Sequence, residues 1–312
     1  MARSTENKIV LVTRKSRLDE LIQRFNTEGQ ARFYVEHLGA DFSDYQAEHQ
    51  RYRQAVLEAE KMLAHHGRVQ VLDRAFVPNF VFGAQDTVVA LGQDGLVANV
   101  LKYLAGQPLI GVNPDPARWE GVLLPFSVRD LERLVPEVFA GRRPLREVSM
   151  AQAVLNTGET LCAVNDLFIG PRTHTSARYE ISTGGESERQ SSSGIIVSTG
   201  MGASGWLRSV LAGAGGIVSS LTGEDDMPTA IEDFRWESDY LYFSVREPWP
   251  SKTSASSISF GQVTGDNPLT LVSHMPENGV IFSDGIESDF VQFNAGTRAT
   301  ISVADRRGLL VS

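Results

Sequence analysis

Cysteine is nearly missing. One cysteine, Cys162, occurs in 312 residues, so no internal disulfide can form, and a reducing, cytoplasmic compartment is expected. Positive charge is also in short supply: 29 Lys and Arg face 38 Asp and Glu, for a formal net charge of −9. A nucleic-acid partner would need a basic face, so none is expected. A few backbone amides with local Lys or Arg still suffice for an anionic nucleotide. Apolar runs are short, none near the ~20 residues of a membrane span, and no membrane partner is expected. Residues 1–8 are polar, carry Glu6 and lack the apolar core of a signal peptide. Gly-x-x-x-x-Gly-Lys-Ser/Thr does not occur, which excludes a P-loop. The glycines at 92 and 95 do not spell Gly-x-Gly-x-x-Gly, which argues against the usual dehydrogenase fold. His65-His66 has no second ligand pair at metal spacing, so no protein metal site is expected.

What is present has two grammars. In the first part, apolar runs alternate with helical patterns. Lys8 to Thr13, Val69 to Leu72, Asp86 to Leu91 and Pro108 to Asn113 read as strands. The spacing predicts helices over Ser16 to Phe25 and Arg51 to His66, the latter with Val56, Met62 and Leu63 inward. Such alternation implies crossovers and a parallel sheet. Arg14, Lys15 and Arg17 follow the first strand, either as a solvated loop or as a basic collar near an anionic ligand. Ser127 with Asp130 reads as a capping box opening a helix that holds Leu131, Leu134, Val135 and Val138. Pro136 predicts a kink or an early end there.

From Glu147 short β-rich runs dominate, punctuated by Gly, Asn, Asp, Pro and Ser. They include Ser149 to Leu155, Thr160 to Ile169 as one run, Ala177 to Ser182, Gly194 to Ser198 and Phe234 to Val245. Many short strands with little helix between them predict an antiparallel sandwich. One helical insert, Ser204 to Leu221, contains Gly213, Gly215 and Gly216. Those glycines suggest close backbone approach or an early end. The expected organisation is an N-terminal α/β Rossmann-like domain over 1–125, a connecting helix over 126–146 and a C-terminal β-sandwich-like domain over 147–312.

Four segments hold polar residues where chemistry would need them. Gly92-Gln93-Asp94-Gly95 follows a strand and opens a helix patterned Val97, Val100, Leu101, Leu104. In open α/β sheets ligands bind at that end of a strand. Asp94 either caps the helix, receives a proton from a hydroxyl attacking phosphate, or helps hold Mg²⁺. Asn165-Asp166 interrupts an apolar run as a bulge or turn, or as a pair aimed at a ligand's hydroxyls or amide. Ser198 to Trp206 is a strand end, a small-residue loop and a helix start. There Ser204 serves as an N-cap, or Trp206 offers a base a stacking platform. Ser283-Asp284-Gly285 reads as a hairpin turn. Cys162, in an apolar run, reads as core.

In combination and order these segments resemble the NAD kinase family. Its Gly-Gly-Asp-Gly-Thr motif corresponds to Gly92-Gln93-Asp94-Gly95-Leu96. Its Asn-Glu or Asn-Asp pair corresponds to Asn165-Asp166, its Ser-Thr-x-x-Gly-Ser/Thr-x-Ala-Tyr/Trp loop to Ser198 to Trp206, and its late Asp-Gly turn to Asp284-Gly285. Tyr52-Arg53, Gly111-Val112-Asn113-Pro114-Asp115-Pro116 and Trp206 look most like the mitochondrial-type branch. The likeness spans roughly residues 8 to 311.

The resemblance implies an α/β domain and a β-sandwich-like domain with a cleft that takes NAD and ATP or polyphosphate, with Mg²⁺. The 2′-hydroxyl of the adenosine ribose would attack the γ-phosphate to give NADP. Asp94 would be the base or orienting group. Gly92, Gln93 and Gly95 would form the turn facing phosphate. Asn165 and Asp166 would hold ribose or amide groups of NAD, with Thr199 in the neighbouring loop, and Ser204, Gly205 and Trp206 would pack against a base. Homodimers or homotetramers are common in the family. Gln93 in place of glycine interferes if that position needs a positive φ. Leu96 removes a hydroxyl, and Ser193 stands where many members have Asp. Two rival expectations follow: a non-catalytic NAD(H)-binding protein on the same fold, and a related lipid or sugar kinase.

Overall fold

The computed structural model describes residues 8–223, 230–286 and 288–312; most of the polar opening, residues 1–7, lies outside them. Two compact units divide the chain, residues 1–146 with 309–312 and residues 147–308.

The first unit is built on strands whose apolar composition lets both faces be covered. These are β1 (Lys8–Thr13), β2 (Arg68–Asp73), β3 (Thr87–Leu91), β4 (Pro108–Asn113), the two-residue β5 (Phe126–Ser127) and β6 (Leu145–Val148). β1 pairs in parallel with β2 and β3, and β3 with β4, giving the order β2-β1-β3-β4. Helices α1 (Arg17–Phe25), α2 (Glu28–His37), α3 (Phe42–Ala64), α4 (Asp94–Leu101) and α5 (Leu131–Phe139) accompany them. Ile9, Leu11, Val89, Leu91, Ile110 and Val112 share one core with Tyr52, Ala55, Ala59 and Leu63 of α3 and with Leu131, Leu134 and Val135 of α5. Residues of opposite parity, Val10, Val12, Val88 and Ala90, are buried as well.

Several helices differ from the expectation. α3 begins at Phe42, nine residues before Arg51, and its buried seam is Tyr52, Ala55, Ala59 and Leu63. Val56 and Met62 pack only partly against the core. Two of those seam positions are alanine, so the apolar pattern is faint. α5 runs through Pro136 to Phe139 without ending early. The expected capping box is formed: the Ser127 N–H and hydroxyl both donate to Asp130, at 2.8 and 2.7 Å, and hold its carboxyl below its usual range. α5, the helix expected within the connection over 126–146, packs in the first unit's core, and that unit's first stretch ends at Arg146.

The second unit is a sandwich. Its strands are β7 (Ala151–Leu155), β8 (Thr160–Ala163), β9 (Asp166–Pro171), β10 (Ala177–Thr183), β11 (Glu186–Ser192), β12 (Ile195–Ser198), β13 (Leu241–Val245), β14 (Phe260–Val263), β15 (Leu269–Ser273), β16 (Gly279–Ser283), β17 (Phe290–Gln292) and β18 (Arg298–Val303). They form two six-stranded sheets, β11-β10-β15-β18-β7-β8 and β14-β13-β12-β9-β16-β17. Tyr179, Ile181, Leu271 and Ile301 of the first sheet meet Leu167, Ile169, Val197 and Phe243 of the second in one core. β10 alternates buried and more open positions, as a half-covered strand should. β9 is buried on both faces.

The expected strand over Thr160 to Ile169 is broken at Val164 and Asn165, and only Leu241–Val245 of the run Phe234 to Val245 is strand. Helix α6 (Trp206–Thr222) continues through its glycines. A Cβ at Gly213 or Gly216 would meet nothing within 4 Å, so neither accommodates a close neighbour. The last strand, β19 (Gly308–Val311), pairs in parallel with β4 and stands between β4 and β6 in the first unit's sheet. Among the described residues no helix is long and apolar enough to cross a membrane.

Candidate functional site

In the first unit the site candidate is the turn after β3. Gln93 is the N-cap of α4, with φ −124° and ψ 165°, and makes no side-chain capping bond. That is extended backbone open to any residue, so the expected conformational penalty for Gln in place of Gly does not arise. A Cβ on Gly95 would also meet nothing within 4 Å. Asp94 opens α4, and its carboxylate turns to a neighbouring loop. One oxygen accepts the N–H of Leu123 at 2.8 Å and the other the N–H of Val122 at 3.3 Å. The loop can lie there because β4 carries Gly111, where a Cβ would fall 2.0 Å from the Leu123 carbonyl oxygen. A carboxylate offers about four lone-pair sites, so two bonds leave Asp94 with capacity to accept a proton.

In the second unit three segments far apart in sequence close on one another. Asp284 adopts a left-handed φ of 55°, which Asp tolerates better than most residues. Its carboxylate accepts the N–H of Asn165 at 2.7 Å and of Val164 at 3.0 Å, and its own N–H donates to the Asp166 carbonyl at 3.0 Å. The Thr199 N–H donates to the Asn165 carbonyl at 2.9 Å, and its hydroxyl donates to the Val164 carbonyl. Gly202 is needed at its position: a Cβ there would lie 2.0 Å from the Asn165 carbonyl oxygen. Thr199 is thus fully buried and holds the loop rather than facing solvent.

Asp166 is buried at 9% exposure. Burial, and then the nearby Asp284 charge, push its carboxyl up to about 7. Near neutral pH it is therefore divided between acid and carboxylate, and the acid form can donate a hydrogen bond.

Strand parity puts Asp166 and Phe168 on the face of β9 opposite the core residues Leu167 and Ile169. On that face Phe168 stacks parallel to Trp206 at 5.7 Å and 6°, and against Phe282 of β16 at 4.8 Å. The Arg246 guanidinium lies 5.4 Å from the Trp206 ring centre. A cavity of about 410 Å³ opens over this layer, lined also by Arg172, His174 and Ser193. Its size and mixed lining suit a small-molecule site.

Ser204 and Gly205 do not line the cavity. Ser204 belongs to a short 3-10 turn, and the N-cap of α6 is Gly205, so Ser204 does not cap the helix. Gly200-Met201-Gly202-Ala203-Ser204-Gly205 does spell Gly-x-Gly-x-x-Gly between a strand and a helix. It follows an antiparallel strand, β12, so it lacks the βαβ setting that gives the motif its meaning.

Sequence reasoning singled out Asp284 in its Asp-Gly turn but missed Phe168, Phe282, Arg246 and Arg172, because the aromatic layer and the arginines are assembled only by strand register. Cys162 is buried as expected. Among the described residues no group of three or more His, Cys, Asp or Glu is placed to hold a metal ion.

A parallel α/β unit together with an antiparallel sandwich is the architecture this chain shares with solved NAD kinase structures. No protein-family description and no curated protein matches the chain in sequence. Among solved structures it is similar to an NAD kinase from Archaeoglobus fulgidus in complex with ATP, at 15% identity and a TM-score of 0.57, over 98% of this chain and 93% of that one. It is also similar to yeast NADH kinase complexed with NADH, at 14% identity and a TM-score of 0.55, over 98% of this chain and 83% of that one. At this identity the likeness is one of fold.

Proposed function

We propose that the chain is an NAD kinase-type phosphotransferase, nearest in its motifs to the mitochondrial-type branch. It transfers a phosphoryl group from ATP or polyphosphate to the 2′-hydroxyl of the adenosine ribose of NAD. The observation that carries this reading is the hydrogen-bonded closure of Asn165, Thr199 and Asp284 on a chain with the NAD kinase fold along 98% of its length. Asp94 takes the hydroxyl proton. The amides of Gly92 and Gly95 face phosphate, Asn165 and Asp166 hold NAD, and Trp206 receives a base. Such transfer depends mostly on positioning and charge stabilisation. Mg²⁺ would be held chiefly by the phosphates of the donor, whose charge it would neutralise, with Asp94 kept as the proton acceptor. We place the enzyme in the cytoplasm as a homodimer or homotetramer.

The test is NADP formation from NAD and NADH with ATP and with polyphosphate. Asp94→Asn is expected to lose ~10²-fold or more in turnover while NAD still binds. Wild-type turnover in that variant would remove Asp94 as the base.

A second reading is favoured by one observation, the engagement of both Asp94 oxygens by Val122 and Leu123. A protein in which that pinning is the residue's only task would bind NAD(H) without transferring phosphate. Calorimetry showing NAD binding, no ATP binding and no NADP formation would establish it.

A further inference from the structure

The order β2-β1-β3-β4 sends the connections from β1 and β3 in opposite directions. The carboxyl ends of those two strands therefore frame the topological switch point, where open α/β sheets take ligands. One hydroxyl ties the two ends together. Tyr52 donates to the Leu91 carbonyl at 3.0 Å and accepts the Arg14 N–H at 2.8 Å. Burial holds its phenol up at about 12, so it stays a donor.

The Arg14 side chain, 11% exposed, runs beside the turn. Its Cδ is 3.6 Å from where a Cβ on Gly92 would stand. Nη1 donates to the Lys15 carbonyl at 2.9 Å, Nη2 donates to Glu48 at 3.2 Å, and the buried Nε has no partner among the described residues. Glu48 also holds Arg17, and Arg17 and Arg118 share Asp44. Three guanidiniums thus share two carboxylates, leaving one positive charge in excess. On the β2 side of Arg14, away from the lining of the turn itself, a cavity of about 480 Å³ opens, lined by Arg14, Lys15, Tyr52 and Arg53. Lys15 bonds the neutral Gln23 carboxamide. The carboxylates on the same wall, Asp19 and Asp73, are engaged by Ser16 and by the Ala75 N–H. The turn itself supplies no lysine, and Leu96 supplies no hydroxyl.

We propose that Arg14 holds the phosphate chain of the phosphoryl donor at the Gly92–Gly95 turn, with Tyr52 the positioning residue that fixes Arg14 against that turn. This rests on the phosphotransferase reading. A guanidinium matches phosphate with forked, charge-assisted hydrogen bonds. Arg14 has donors left for that after its two protein bonds.

Calorimetry on the full chain with inorganic tripolyphosphate and with ATP tests this, NAD titration serving as the folding control. Arg14→Ala is expected to weaken both probes ~10- to 100-fold with NAD affinity unchanged, and Arg14→Lys to recover part of the loss. Tyr52→Phe is expected to weaken both probes severalfold. Glu48→Gln keeps the shape but removes a competing charge, so it is expected to tighten tripolyphosphate severalfold; a purely structural Arg14 would leave that affinity unmoved. This variant carries the test if Arg14→Ala unfolds. Tripolyphosphate affinity within twofold of wild type in Arg14→Ala overturns the proposal, as does a loss confined to ATP or a wild type that binds neither probe. Arg14-dependent tripolyphosphate binding without NADP formation supports the anion site and overturns the phosphotransferase reading.

Discussion

The Asp284 carboxylate accepts the backbone N–H of Asn165 at 2.7 Å across 119 positions of sequence. With the Val164 N–H on the same group, one side chain sets the break between β8 and β9, and so the point at which Asp166 enters the sheet. Asp284→Asn keeps one acceptor oxygen but loses the charge. We expect a loss of ~1–3 kcal/mol in stability, since hydrogen bonds to a charged group are the stronger kind. NAD affinity should fall with it. Urea unfolding and an NAD titration measure both, and an unchanged midpoint would show that the turn holds without the charge.

Asp166 gives a pH dependence with a definite sign. Its carboxyl is raised to about 7 by burial and by Asp284, against about 3.9 in an unfolded chain. Between those values the folded state binds more protons than the unfolded one, so stability falls as pH rises through that window and levels above it. Asp166→Asn removes the titration. It should flatten the profile and stabilise the chain at pH 8 relative to wild type by on the order of 1–3 kcal/mol. Denaturation midpoints at pH 5 and pH 8 decide the matter; parallel profiles for variant and wild type would contradict it.

The two-part architecture was legible in the sequence because each grammar has its own period. Lys8–Thr13 and Pro108–Asn113 have apolar interiors, each ending on a polar residue, and emerged with the bounds read from them. α2 and the first half of α3 were not legible, since their buried positions include Ala31 and Glu48. β11 was invisible for a related reason: Glu186–Ser192 is polar and lies at a sheet edge. At the site, Asp94, Asn165 and Asp166 stood out as polar residues beside apolar runs. The layer of Phe168, Trp206 and Phe282 did not, because only the register of β9 with β16 and the start of α6 brings those rings together.

Two glycines of the motif segments should respond oppositely to alanine. At Gly202 the new Cβ would fall 2.0 Å from the Asn165 carbonyl oxygen, a backbone atom that cannot step aside alone. Gly202→Ala should cost ~1–3 kcal/mol or more, as overpacking does. At Gly95 the Cβ enters open space in the first turn of α4. Gly95→Ala should be neutral or stabilise by ~0.4–1 kcal/mol by restricting the unfolded chain. Thermal midpoints of the two variants check the contrast, and equal losses would mean that the α4 turn is tighter than its geometry indicates.

Trp206 tests whether the aromatic layer receives a base. Its ring lies parallel to Phe168 and 5.4 Å from the Arg246 guanidinium, and it lines the 410 Å³ cavity while leaving the core of the sandwich untouched. Removing it should therefore spare the fold. Stacking of a base on an aromatic ring contributes ~1–3 kcal/mol, so Trp206→Ala should weaken NAD binding ~10- to 100-fold. Trp206→Phe retains a ring at the same position and should recover most of that affinity. A titration of each variant with NAD and with nicotinamide mononucleotide, which lacks the adenine, separates the two ends of the ligand. Loss with NAD alone places adenine on Trp206, loss with both places nicotinamide there, and unchanged affinity for both removes Trp206 from the binding site.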